Sequence, residues 1–153
     1  MGFDLYGENP ENELGEYFRN NVWWWRPLWS FVTDMCIDIL DERDIEGGGY
    51  NNGHLITKEK AREIGSRLNK LILDGTVVYA QKKYVDILEK LPDEKCDLCD
   101  GTGQRNDAIV QGQCNGCEGK GTRRPWQTNY PFNTENVKEF AEFCLASNGF
   151  TIC

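Results

Sequence analysis

The chain has 153 residues, 39% hydrophobic and 27% charged, and its 25 acidic against 17 basic side chains leave a net charge of −8. That length suits one domain with a real core plus a small insertion, and that charge disfavours a general electrostatic grip on nucleic acid. No apolar run approaches the ~18 residues of a membrane span, and the start Met1-Gly2-Phe3-Asp4 lacks the basic-then-apolar pattern of a secretory leader, so a cytoplasmic setting is expected.

Phe3 and Leu5 alternate with polar neighbours, which predicts a short strand broken by Gly7-Glu8-Asn9-Pro10. A turn-rich stretch follows. The segment Phe18 to Trp29 then holds four of the five tryptophans within seven positions. Adjacent Trp23, Trp24 and Trp25 must point in different directions, so at least one ring is expected to meet solvent, a partner or a planar ligand while the others anchor the core. Arg19 and Arg26 flank the run, and Asn20 and Asn21 add amide donors, a set suited to stacking on a nucleobase or pairing with a phosphate. The same residues equally suit a structural role, with the rings covering a helix bundle and the arginines paired to nearby acids.

Pro27 reads as the first turn of a helix running to about Asp41, in which Leu28, Val32, Met35, Cys36 and Ile39 recur at helical spacing. The carboxylates Asp38, Asp41, Glu42, Asp44 and Glu46 at its end read as a solvated face. Gly47-Gly48-Gly49 and Tyr50-Asn51-Asn52-Gly53-His54 predict a polar loop, where Asn51, Asn52 and the only histidine, His54, are candidates to join the tryptophan site. Thr57 is placed to cap a second helix with Ala61, Ile64, Leu68, Leu71 and Ile72 on one face, stopped by Asp74-Gly75. A third helix is expected from Thr76 to Pro92, with Val77, Ala80, Tyr84, Ile87, Leu88 and Leu91 inward. The short connection predicts that these two helices are antiparallel neighbours.

Two copies of one pattern come next, Cys96-Asp97-Leu98-Cys99-Asp100-Gly101-Thr102-Gly103 and Cys114-Asn115-Gly116-Cys117-Glu118-Gly119-Lys120-Gly121. Each reads CxxCxGxG. A thiolate pair two residues apart can hold one metal from a tight turn, and two such pairs complete a tetrahedral four-cysteine shell with no position left for water or substrate. Gly101, Gly103, Gly119 and Gly121 can take positive φ, letting the chain fold back so that backbone N–H groups point at the sulfurs. One structural zinc per chain on Cys96, Cys99, Cys114 and Cys117 is the expectation, with disulfides or free thiols as the alternative. Cys36, Cys144 and Cys153 remain; the first two lie on apolar helical stripes and read as packing residues. After Trp126, a further candidate for the binding surface, Asn133 or Thr134 opens a last helix through about Ser147, with Val137, Phe140, Ala141, Cys144 and Leu145 on one face. Phe150-Thr151-Ile152-Cys153 alternates like the N-terminal piece and is expected to pair with it.

The paired CxxCxGxG resembles the cysteine-rich zinc domain of the DnaJ chaperones, which has four such repeats and two zinc sites; two repeats imply a single site here. The likeness spans Cys96 to Gly121, and the His-Pro-Asp of a J-domain is missing, because His54 is followed by Leu55. Over its whole length, with GEYFRNNVWWWRPLW, YNNG, the cysteine repeats and the GFTIC ending, the chain resembles a group of small bacterial and phage proteins. The fold class expected is α+β, mainly helical, with a short terminal β-pairing: a core of residues 1–92 and 122–153 and an inserted DnaJ-like zinc hairpin at 93–121. The expected function is that of a non-enzymatic zinc-binding protein, a protein-interaction or regulatory module. The alternatives are a nucleotide-like small-molecule binder using the tryptophan-rich segment and, behind it, an enzyme acting on such a ligand.

Overall fold

The alternation at the start of the chain becomes strand β1 (Gly2–Gly7), with Phe3 and Leu5 buried. The computed structural model describes residues 1–153 and contains five α-helices. Three further strands, β2 (Tyr17–Asn21), β3 (His54–Ile56) and β8 (Phe150–Ile152), join β1 in an antiparallel sheet of order β2-β1-β8-β3. The termini are tied together as expected, Leu5 lying opposite Ile152 and Gly7 opposite Phe150. Both edge strands fall where the sequence predicts turn and loop. In β2 the inward alternation is Phe18 and Asn20, and a polar residue on the core side hides the period.

Helix α1 (Val22–Met35) starts five residues before the expected first turn at Pro27. Asn21 decides this: its side-chain oxygen accepts from the backbone N–H groups of Trp23 and Trp24, the capping geometry that frees a helix start from needing proline. Pro27 therefore sits in the second turn, where its missing N–H removes one helical bond. The helix also stops early, at Met35, and after a turn at Cys36 a separate short helix α2 (Glu42–Gly47) begins behind a capping box formed by Asp41 and Asp44.

Helix α3 (Lys58–Leu73) is capped by Thr57 and ends before Gly75, as its sequence predicts. Its neighbour is not the next helix in the chain. It packs along α5 (Thr134–Ser147), where Gly65 allows close approach: a Cβ there would lie 2.7 Å from Leu145 Cγ and 3.0 Å from the Ala141 carbonyl oxygen. Helix α4 (Thr76–Glu89) leaves this pair, burying Val77 and setting Tyr84 against Phe132, while Ile87, expected inside, is exposed. The inner sheet face meets α1 and α5 through aromatic contacts, Phe3 stacking on Trp25 at 5.3 Å and Phe18 meeting Phe140 at 5.3 Å with tilted rings. Cys36 and Cys144 are fully buried within this core, and burial pushes the Cys36 thiol up to about 11.

The chain divides into two units, residues Met1–Val85 with Tyr130–Cys153, and residues Asp86–Asn129. The second contains two small ribbons: β4 (Glu94–Lys95) pairs with β7 (Thr122–Arg123), and β5 (Gln104–Asn106) pairs with β6 (Gln111–Gln113). No helix is long and apolar enough to cross a membrane.

Candidate metal centre

The two CxxCxGxG repeats fold into near-identical turns that face each other. In each, the first cysteine carbonyl accepts from the glycine five residues on (Gly101 to Cys96, Gly119 to Cys114, both 3.1 Å), and the second accepts from the residue three on (Thr102 to Cys99, Lys120 to Cys117, both 3.0 Å). The repeats then bond reciprocally, Cys96 N–H to the Gly121 carbonyl and Cys114 N–H to the Gly103 carbonyl, both at 2.9 Å. Gly103 and Gly121 have φ of +74° and +76°, and a Cβ on either would lie within 2.4 Å of a carbonyl oxygen of the opposite repeat. Glycine is required there by backbone conformation and by contact together.

These turns bring the four sulfurs within 4.8 Å of one another, all four cysteines being buried. Cys96 Sγ lies 3.9 Å from Cys114 Sγ, and Cys99 Sγ lies 3.7 Å from Cys117 Sγ. A disulfide needs about 2.05 Å, whereas a tetrahedron of metal–sulfur bonds about 2.3 Å long has edges of about 3.8 Å. The separations match the second case. Gly103 N–H donates to Cys99 Sγ at 3.3 Å and Gly121 N–H donates to Cys117 Sγ at 3.2 Å, the outer hydrogen bonds that thiolate ligands use to spread their charge. Burial opposes ionisation of Cys99, yet the Gly103 amide and the neighbouring thiols outweigh it and lower its pKa to about 7. At Cys117 burial prevails over the Gly121 amide, and the pKa rises to about 11. Cys99 and Cys117 are thus shifted in opposite directions within one sulfur cluster. The donor set is thus positioned to hold a metal ion.

The other candidate residues are dispersed. Trp25 is buried and its indole N–H donates to the Gly48 carbonyl at 2.7 Å; Trp29 donates to the Ile45 carbonyl at 3.1 Å. Trp23 is 40% exposed with its ring edge-on to Tyr130, and Trp24 is half-buried. Asn20, read as a donor to a ligand, instead donates to Asn136, and Asn21 is the cap of α1. Arg19 pairs with Asp4 at 3.5 Å on the outer sheet face, and Arg26 is exposed on α1. Asn51 donates to the Gly2 carbonyl, Asn52 and His54 line a groove described below, and Trp126 belongs to the second unit. The tryptophan-rich segment is therefore mostly a packing element.

The acidic run read as a solvated face does structural work that sequence reasoning missed. Asp44 is buried, accepting from His54 Nε2 at 2.9 Å and from Lys60, which also reaches Asp41 at 2.8 Å. Asp38 holds Arg67 through two bonds of 2.9 and 2.8 Å. The signal available was the S/T/D-x-x-D/E spacing of Asp41 and Asp44. Comparison of the chain with protein-family models, with curated proteins and with solved structures returned no match.

Proposed function

We propose that residues 86–129 form a zinc-stabilised interaction module, a single structural zinc being held by Cys96, Cys99, Cys114 and Cys117 in a DnaJ-like arrangement. A closed shell of four thiolates leaves the metal no site for water or substrate, so the metal's role is to supply the folding energy of the unit, and the reading is non-enzymatic. The observation that carries it is the surface of this unit. Leu98, Ile109 and Trp126 are 52%, 87% and 57% exposed, the only buried side-chain cluster being the cysteines themselves. Exposed apolar side chains on a metal-braced frame suit a protein partner.

All six cations of the unit are engaged by carboxylates: Lys90 with Asp86, Lys95 with Asp100, Arg105 with Asp107, Lys120 with Glu118, Arg123 with Asp97 and Arg124 with Asp93. A run of basic side chains already paired in this way has little to offer phosphates, which supports a protein partner over nucleic acid. The setting that fits is a reducing cytoplasm, bacterial or phage-infected, where the thiolates stay available to metal.

Affinity capture with zinc-loaded protein from bacterial cells tests the reading. Ile109→Asp and Trp126→Ala should lose the captured partner while retaining one zinc per chain and an unchanged Tm. Capture that persists in both variants, or a zinc content other than one, overturns it.

A further inference from the structure

Around His54 the first unit builds a groove that neither folding nor the metal centre accounts for. It is an open surface groove of about 450 Å³, lined by Arg43, Glu46, Gly47, Tyr50, Asn52, Gly53 and His54. Its floor is rigid. The Trp25 and Trp29 indoles clamp the Gly48 and Ile45 carbonyls, and the glycine run is pressed against rings: a Cβ on Gly48 would lie 2.0 Å from Trp29, and one on Gly47 would lie 2.2 Å from the His54 ring. Glycines that read as part of a polar loop in the sequence thus allow tight packing beneath the groove.

Apart from the His54–Asp44 bond, the polar side chains above that floor have no hydrogen-bond or ion-pair partner in the protein. Buried Asp44 accepts from His54 Nε2, so in the neutral imidazole the proton is on that nitrogen and the Nδ1 lone pair, to which no protein group is bonded, is left free. Arg43 makes no ion pair and is the sole cation of the lining, Asn52 offers an amide with donor and acceptor side by side, and Tyr50 presents a ring that is 59% exposed. Arg43 calls for an anionic group. Glu46 and His54 Nδ1 are acceptors, which the anionic oxygens of a phosphate group cannot satisfy and hydroxyl or amino donors can. Tyr50 offers a plane for an aromatic ring to stack on, and the Asn52 amide matches a base edge.

We propose that this groove binds a nucleoside monophosphate: phosphate at Arg43, base against Tyr50 and Asn52, and a hydroxyl donating to His54 Nδ1. Asp44 acts here as a positioning residue that holds the imidazole tautomer. This goes beyond the reading of the metal unit and does not depend on it.

The test is a titration of isotope-labelled, zinc-loaded full-length protein with AMP, GMP, CMP and UMP, and in parallel with inorganic phosphate and adenosine, followed by amide and imidazole nitrogen resonances. At least one nucleotide should saturably shift Arg43, Tyr50, Asn52 and His54, with phosphate and nucleoside each weaker by about tenfold or more. Arg43→Ala should weaken the nucleotide by about tenfold while sparing adenosine. The free imidazole should show the Nε2–H tautomer, and Asp44→Asn should disturb that signature. Three results overturn the proposal: no shift at these residues with any of the four nucleotides up to about 10 mM, phosphate binding as tightly as nucleotide, or nucleotide binding indifferent to Arg43→Ala.

Discussion

In residues 1–85 and 130–153, 22 buried side chains from sheet and helices form one apolar cluster, whereas in residues 86–129 the buried cluster is four cysteines and nothing else. Each large side chain of the first cluster contributes on the order of 1.5–3 kcal/mol by leaving water, so its stability is spread over many contacts. The second unit has no such reserve. Its backbone turns place sulfurs rather than hydrocarbons at the centre, and the zinc proposed there would supply about 10–16 kcal/mol at one point. Distributed burial tolerates single losses, while a single centre does not.

Metal removal should give the largest effect. Chelation, or Cys114→Ala, should abolish stoichiometric zinc and order in 86–129 while far-ultraviolet circular dichroism keeps most of its helical signal; loss of the whole spectrum would show that the two units do not fold separately. A core truncation should do the reverse. Trp25→Ala removes a buried ring and orphans the Gly48 carbonyl, so a thermal or denaturant melt should report a cost of ~3–5 kcal/mol with zinc content unchanged.

Gly103→Ala should separate conformation from contact within the metal unit. Its Cβ meets the Gly119 carbonyl oxygen at 2.3 Å, whereas at Gly112, φ +112°, a Cβ meets nothing within 4 Å. Competition with a chelator should show weakened zinc retention for Gly103→Ala and near-normal retention for Gly112→Ala.

Acid should also distinguish the units. Thiolates must be deprotonated to bind metal, so falling pH releases zinc first. Asp44 responds later: burial would raise its pKa, but hydrogen bonds from Lys60 and His54 outweigh this and lower it. A depressed folded-state pKa contributes stability above the ordinary carboxylate range, and that contribution is lost as pH falls through the lowered value. An acid titration should therefore show zinc release before the helical melt, and simultaneous loss would contradict the comparison. The smallest effect belongs to Ile109→Ala at the β5–β6 hairpin tip, where an 87% exposed side chain should change stability by less than about 0.5 kcal/mol by the same melts.

Legibility followed the range of the interaction. The CxxCxGxG repeats, the Thr57 and Asn133 caps and the apolar faces of α3 and α5 are local patterns, each readable within a few residues, and each appears in the structure. The start of α1 was misplaced because two local signals competed, and the Asn21 cap prevailed over Pro27.

The amino-acid sequence by itself determined which four cysteines belong together, where α3 and α5 begin and end and where α4 begins, and that the termini alternate as strands. Tertiary structure alone decided that β2 and β3 complete the sheet, that α3 pairs with α5 rather than α4, and that Asp44 and His54 meet across ten residues. The physical reason is the same in each case: caps and metal turns are closed by neighbours in the chain, whereas sheet edges, helix partners and buried ion pairs depend on surfaces brought together from distant positions, which carry no period of their own.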